Sequence, residues 1–577
     1  MRKLNRAVLG FAIVAGAGFT GPGIAAEQAG EDVSPADIVF LGDHIVTMDP
    51  DRPSVEAVAV RGETIAAAGS RDDVLALRGE ATRVVELGDR ALLPGFIDAH
   101  GHFLAVGRSL DALSLHPPPV GDVRNVDDVV RKIRAWIAER EIPPGGLVVG
   151  SGYDDSLLAE QRHPTRDDLD RASTAHRIVL THVSGHLRTA NSAALAAGGV
   201  TAGTPDPPGG HIRRRPGSRE PDGVLEERAG ALVAAGGLFA PTPGETEALA
   251  RRAQHVDCLP AGRAVLHRGR PVAHVLADGA AAERSPFHAD VAAFPRFRAT
   301  ADAERVVHEP DYRGGFRIAG MKFSLDGSPQ GRTAWVTDPY AEGPPGAPPD
   351  YRAYGTLDPD AYRAGAAHLI RRGVPIIVHA NGDAAIDLML DGVGAAVAGL
   401  EPLPDHRAVI IHAQLMRADQ LDRAAALRVV PSFFSAHAFF WGDWHRRSFG
   451  EARGNNVSPV RWAIERGVRF TVHNDSPIVP PDIMRLVSIT VNRKTRSGHV
   501  LGPHQRATVR EALHAVTLGA AYQYFEEDTK GSITVGKQAD LVILGKNPLL
   551  ADPAALEHIA VVETFSRGRS VYARPAE

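Results

Sequence analysis

The sequence predicts an α/β fold, a barrel of βα units that carries an inserted lobe and joins a composite β-domain built from both chain ends. Three observations predict it. Apolar strand-like runs alternate with helical segments in the second half, as in Val374–His379 followed by Ala384–Leu400, and Val409–His412 followed by Ala418–Ala426. Short β-rich runs broken by Gly and Asp turns occupy both ends, and neither end has enough strands to stand alone. The stretch from about Gly107 to Gly315 is too long for one or two βα units, which implies an inserted lobe.

Taken in chain order, Arg2, Lys3 and Arg6 precede an apolar stretch from Ala7 to about Phe19 and then small residues through Gly23, Ala25 and Ala26. That is the layout of a cleaved secretory signal over residues 1–26. The apolar run is shorter than the roughly 20 residues a spanning helix needs. Export, to a periplasm, with no stable membrane anchor after cleavage is therefore the expectation. These residues hold three basic and no acidic side chains, so their removal takes the formal charge from −5 to −8. Such a balance argues against nucleic acid as a partner. The whole chain, 577 residues with 44% hydrophobic and 23% charged content, is long enough for a large barrel and a smaller domain. Cys258 is the only cysteine, which excludes an intramolecular disulfide and a cysteine metal cluster. Any metal must be held by histidine, carboxylate or modified lysine.

The runs IVFLGDHIVTMD, AVAVRGETIAAAG and TRVVELGDRALLPG fill residues 36–95, and ADLVILG and VVETFSRGRSVYA repeat that style within 526–575. These two segments form the composite β-domain, with the barrel over 96–525 and the lobe over about 107–315. Within the lobe, GSGYDDSLL and THVSGHLRTANSAAL stand out; His186 and Asn191 read either as pocket-lining residues or as turn and cap residues. Glu226 and Glu227 in DGVLEE read as a solvated first helical turn. From Gln254 to Asp290 the chain is rich in Arg, His and Pro and shows neither a helical nor an alternating period.

His100 and His102 stand one residue apart at the end of an apolar run, and a strand places residues i and i+2 on one face. Two imidazoles so placed form half a metal site. Lys322 lies in the short apolar strand Ile318–Phe323, where a charge is costly unless paired or modified. His379 ends the run Pro375–Val378, His412 ends Val409–Ile411, and Asp475 follows Phe470–Asn474. Both histidines sit where barrel side chains reach the C-terminal mouth. His473 shares a face with Asp475 and is its rival or co-contributor.

The string LLPGFIDAHGH from Leu92 resembles the first-strand signature of the amidohydrolase superfamily. GMKFSLDGSPQGRTA from Gly320, PIIVHANGDAAI from Pro375, AVIIHAQL from Ala408, FTVHNDSPI from Phe470 and GSITVGKQADLVIL from Gly531 resemble its large-insertion, YtcJ-like branch, amidohydrolase family 3. That branch includes exoenzyme-regulatory-protein-like sequences. The resemblance runs from about Ala36 to the C-terminus and breaks at 254–290, which lacks the Gly-x-Thr-Thr strand relatives carry there. A compensated frameshift in a GC-rich gene and a diverged insertion are the two readings of that stretch.

The resemblance implies a (β/α)8 TIM-like barrel whose strand ends hold one or two divalent metal ions, zinc foremost, and a composite β-sandwich domain. It implies that His100, His102 and Asp475 hold one ion and His379 and His412 the other, with Lys322, as a carbamate, and a hydroxide bridging them. The metals would acidify water and polarise a carbonyl, and Asp475 would pass the water proton to a departing nitrogen. The expected reaction is hydrolysis of a non-peptide carbon–nitrogen, amide-type bond in a small molecule. If Lys322 stays unmodified and pairs with a carboxylate such as Asp326, a mononuclear deaminase or deacylase results. From a different class, the chain is a catalytically weak regulatory or binding protein that keeps the barrel. The aromatic segment Val430–His445 reads equally as pocket wall, favouring an apolar or aromatic group, and as core. His186, His437 and Trp441 are the candidate substrate-binding residues, and pairing as a homodimer is left open.

Overall fold

A computed structural model describes residues 34–233, 243–253 and 290–575, with a few positions between 267 and 287. The expected leader over 1–26, Cys258 and most of the anomalous stretch lie outside the described residues.

Both chain ends meet in one sheet. Among the described residues its strands run, neighbour to neighbour, Arg569–Ala573, Val561–Ser566, Leu541–Leu544, Ala91–Pro94, Ala36–Val46, Ser54–Arg61 and Thr64–Gly69, and Arg78–Glu86 pairs with Ala36–Val46. The two-residue period of these strands explains the arrangement. Phe40, Val58, Val60, Leu92, Leu541, Ile543 and Phe565 pack on one face, while Val39, Leu41, Ala57 and Ala59 pack on the other. Phe40 and Phe565 meet edge to face at 5.1 Å between ring centroids, which closes one chain end on the other.

Five strands, Met321–Ser324, Ile376–Ala380, Val409–His412, Val430–Phe433 and Thr471–Val472, lie parallel in chain order. Every residue in them is buried, as expected where helices cover a parallel sheet. Helices Pro359–Arg371, Asp383–Val397 and Ala418–Leu427 make the crossovers between the first four strands. The first of these helices starts where Asp358 accepts the Ala361 N–H at 2.8 Å and Pro359 occupies the first turn. A Cβ on Gly320 would lie 2.1 Å from the Pro375 carbonyl oxygen, so only glycine lets these strands meet there. A second parallel set, His267–Arg268, Val291–Phe294 and Phe316–Ile318, reaches the first through a bridge between Arg296 and Lys322. The result is a mixed α/β fold. Pairing among the described residues gives a five-stranded and a three-stranded arc, where the sequence led us to expect a continuous ring of eight.

The lobe holds a six-stranded sheet in the order Gly210–Arg214, Pro221–Glu227, Leu187–Ala190, Arg177–His182, Leu147–Tyr153 and Leu113–Ser114. Glu226 and Glu227 correct the sequence reading: they end a buried strand and do not open a helix. The strand wins because both carboxylates find partners inside, Arg213 and Tyr354 for Glu226, and His186 and Thr333 for Glu227. Asn191 is a cap, accepting the Ala194 N–H at 3.0 Å at the start of Ser192–Ala197. The lobe is tied to the half that carries the five parallel strands where the Trp441 indole N–H donates to Asp154 Oδ2 at 2.8 Å. Among the described residues no helix is long and apolar enough to cross a membrane.

Candidate metal centre

The run into His100 also needs correcting. Its strand ends at Pro94, inside the sheet shared by the chain ends, and Gly95–His102 continues without strand pairing. Four backbone bonds tie this segment to the rest of the chain: Gly95 N–H to Asp540 O at 2.7 Å, Ile97 N–H to Val516 O at 2.8 Å, Asp475 N–H to His100 O at 3.0 Å, and His102 N–H to Ser476 O at 2.7 Å. The last two lay it beside the segment that follows Thr471–Val472. Both imidazoles thereby reach one atom, with His102 Nε2 3.0 Å and His100 Nε2 3.4 Å from Asp475 Oδ1. One ligand atom from each of the three residues lies within 4.8 Å of the others.

His379 and His412 come from the ends of adjacent strands, where Ala380 pairs with His412. His412 Nε2 is 3.0 Å from His379 Nδ1, and His412 Nδ1 is 3.1 Å from His473 Nε2. The His100 ring joins the two groups, with its centroid 5.6 Å from that of His412 and 5.2 Å from that of His473. Lys322 is fully buried in Met321–Ser324, and its charge acts on His412. Five of the predicted ligands, His100, His102, Asp475, His379 and His412, therefore belong to one cluster, and Lys322 lies two residues before the end of its strand. His412 (φ +79°) and Asp475 (φ +55°) adopt left-handed backbone, a strain of about 1–3 kcal/mol at a residue other than glycine. Strain of this kind persists where the surroundings over-determine a functional geometry.

Burial holds His412 well below the usual imidazole range, and the charges of His379, His473 and Lys322 push the same way. A neutral ring keeps the lone pair that a metal requires. Burial also raises the Asp326 carboxyl to about 8, although it accepts N–H groups from Gly382, Asn381 and Trp335. Asp98 is raised by burial to about 7 and accepts the Asn474 and His100 N–H groups. Imidazoles, one carboxylate and a buried lysine form a nitrogen and oxygen donor set suited to zinc and its neighbours. The residues present fit one or two divalent ions.

An outer layer orients these groups. Ser432 Oγ lies 2.9 Å from His473 Nδ1, and the Gly327 carbonyl lies 2.9 Å from His379 Nε2. Gln523 Nε2 and Tyr524 O–H donate to the carbonyl of Ala99, next to His100, at 2.9 and 2.5 Å. Gln523 Oε1 accepts from Thr471 Oγ1 at 2.7 Å, which couples the His100 segment to the Asp475 strand. From the lobe, His186 Nδ1 meets Glu227 Oε2 at 2.8 Å, and its ring lies 4.8 Å from that of His379. His437 and Trp441 approach the cluster by way of Phe434, whose ring contacts both of them and stacks on His473 at 5.2 Å. His437 Nδ1 is 2.8 Å from His445 Nε2, so this imidazole is engaged inside the aromatic layer.

Sequence reasoning did not single out Asp98, Glu227, Phe434, Gln523 or Tyr524 for the site. Asp98 stands inside the quoted LLPGFIDAHGH run and could have been found there. Gln523 and Tyr524 carry no local signal, because their role exists only through a contact more than 400 residues away in sequence.

A model of the amidohydrolase family matches residues 83–572. The N-substituted formamide deformylase of Arthrobacter pascens is 27% identical over 557 residues, covering 93% of this chain and 98% of that protein. The amidohydrolase YtcJ of Bacillus subtilis (strain 168) is 26% identical over 556 residues, covering 92% and 99%. Among solved structures, an uncharacterized metal-dependent hydrolase from Pyrococcus horikoshii OT3 aligns with a TM-score of 0.68 at 20% identity, covering 89% of this chain and 99% of that one.

Proposed function

This chain belongs to the amidohydrolase family, and from that premise we propose that it is a metal-dependent hydrolase of a non-peptide carbon–nitrogen bond in a small amide. The observation that carries the proposal is the meeting of His100 and His102 at one oxygen of Asp475, with the His100 ring against His412 and so against His379. Divalent metal held there would supply an acidified water and a Lewis acid for the substrate carbonyl. Asp475 accepts the water proton on its carboxylate and returns it to the departing nitrogen. His186, fixed by Glu227, orients the substrate beside His379.

In this reading Lys322, as a carbamate, would help hold the metal. Lys322 is fully buried, and its free amine is the form that reacts with CO2. The alternative role for Asp326, a salt bridge to Lys322, is less favoured because that carboxyl accepts three backbone N–H groups and faces His379 at 3.4 Å. The aromatic layer of Phe434 and Trp441 favours an apolar or aromatic substituent on the amide. The two parallel arcs are parts of a (β/α)8 barrel over 96–525, the shared sheet belongs to a composite β-sandwich, and residues 1–26 direct export to a periplasm.

The relative from Arthrobacter pascens makes N-substituted formamides the first class to test. The chain, purified with zinc, cobalt or manganese, is to be screened on these and on N-acyl amino acids, hydantoin-like rings and carbamates. Metal-dependent turnover that disappears in a His100→Ala, Asp475→Ala double variant is expected. Turnover that survives both substitutions unchanged rejects the site.

A further inference from the structure

The lobe contains a second cluster of metal-ligating side chains, which the proposed hydrolysis does not use. Asp155 follows the strand Leu147–Tyr153, His163 lies in the connection after it, and His182 ends the strand Arg177–His182. All three are buried, with relative exposures of 7, 6 and 1%. His182 Nε2 lies 2.9 Å from Asp155 Oδ1, and His163 Nε2 lies 3.5 Å from Asp155 Oδ2. One ligand atom from each residue falls within 4.8 Å of the other two. Zinc–ligand bonds of about 2.0–2.1 Å in a tetrahedron place donor atoms about 3.3 Å apart, so small side-chain adjustments would centre an ion here.

We propose that Asp155, His163 and His182 form a separate mononuclear zinc-type site in the lobe, with its fourth position open to the adjoining cavity. Both rings are already oriented as ligands are. The nitrogen of each that faces away from Asp155 is engaged, His163 Nδ1 with the Tyr153 hydroxyl at 3.1 Å and His182 Nδ1 with Ser184 Oγ at 2.8 Å. Such outer bonds fix ring orientation; His182 Nδ1 also accepts the Ser184 N–H at 3.2 Å, so an ion at Nε2 would displace the proton shared with Asp155. The charges suit a cation as well. Burial lowers His163 to about 3, which leaves it neutral with a free lone pair. The nearby cations are themselves neutralised, Arg213 by Glu226 at 2.5 Å and Arg332 by Glu342 at 2.6 Å.

Access comes from a cavity of about 760 Å3 lined by Asp155, His163, Arg213, Glu226, Arg332 and Tyr354 among others. Two protein nitrogens, one carboxylate oxygen and an open side are the composition of a site that keeps an exchangeable water. The cluster is built from the GSGYDDSLL and THVSGHL runs noted in the sequence, joined by His163 from the segment between them.

The test is zinc content per chain after gel filtration of chelator-treated, zinc-reloaded protein, comparing wild type with His163→Asn and His182→Asn. The expected result is a loss of one zinc per chain in each variant, with cobalt-loaded wild type showing tetrahedral visible bands that both variants weaken. Equal zinc content in wild type and both variants overturns the proposal. Because the difference between proteins is read, the number of ions at the strand-end cluster does not enter. Should the variants fail to fold, a zinc-edge anomalous map of wild-type crystals decides: a peak among the three side chains supports the site, and its absence at saturating zinc overturns it.

Discussion

Replacing Gln523 by Leu and Tyr524 by Phe should weaken metal binding without touching a ligand. Both side chains donate to the Ala99 carbonyl, at 2.9 and 2.5 Å, and so fix the backbone from which His100 projects. Each donor contributes about 0.5–1.5 kcal/mol net, so losing both costs about 1–3 kcal/mol. At about 1.4 kcal/mol per tenfold change in an equilibrium constant, affinity falls about 5- to 150-fold if that energy is expressed in the loaded geometry. This agrees with the roughly 10–100-fold cost of altering the partners that orient metal ligands. The Gln523 change also removes the acceptor for Thr471 Oγ1, which places the double variant toward the upper end. The assay is retained zinc across a chelator series, with folding checked by circular dichroism. A folded double variant that releases zinc at the same chelator concentration as wild type refutes the reasoning.

Other consequences are equally open to measurement. Asp475→Asn should lower turnover of a responsive amide by about 10²–10⁴-fold, the contribution of a positioned proton carrier; a smaller loss, measured as kcat, removes Asp475 from proton transfer. Glu227→Gln should weaken the hold on His186 Nδ1 and raise KM more than it lowers kcat, and an unchanged KM contradicts a substrate-orienting role. Lys530→Met should destabilise the fold by about 3–5 kcal/mol, because it strips the buried Asp290 and Glu526 carboxylates of a cation at 2.6 and 2.8 Å; an unchanged urea midpoint contradicts this. Burial lowers His445 to about 3, whereas the unfolded ring titrates near 6.5. Its contribution is therefore complete above pH 6.5 and is lost as pH falls toward 3, at about 1.4 kcal/mol per pH unit. His445→Gln should flatten the acid limb of the stability curve by that slope, and an unaltered limb would show that this ring does not titrate as assigned.

What the sequence disclosed depended on how local each signal was. The helix after Ile376–Ala380 and the strand Val409–His412 lie close to where hydrophobic period placed them, because each is an apolar run bounded by its own turn residues. The run into His100 is not one strand, since only its first residues stay in a sheet: Ala91–Pro94 pairs with Leu541–Leu544, while Ile97 bonds to Val516 at the end of the helix Val509–Ala515. Glu226 and Glu227 looked solvated because their partners, Arg213, Tyr354, His186 and Thr333, are assembled only by folding. The strand-end histidines were legible for the opposite reason. A polar ring closing an apolar strand stands out against its own neighbours, as His379 and His412 do.

The most direct measurement is the zinc content of six single variants, His100→Ala, His102→Ala, Lys322→Met, His379→Ala, His412→Ala and Asp475→Ala, each compared with wild type by mass spectrometry after gel filtration. Each folded variant is predicted to carry less zinc than wild type. Folded variants that all retain the full wild-type complement would contradict the assignment of these side chains as the metal centre.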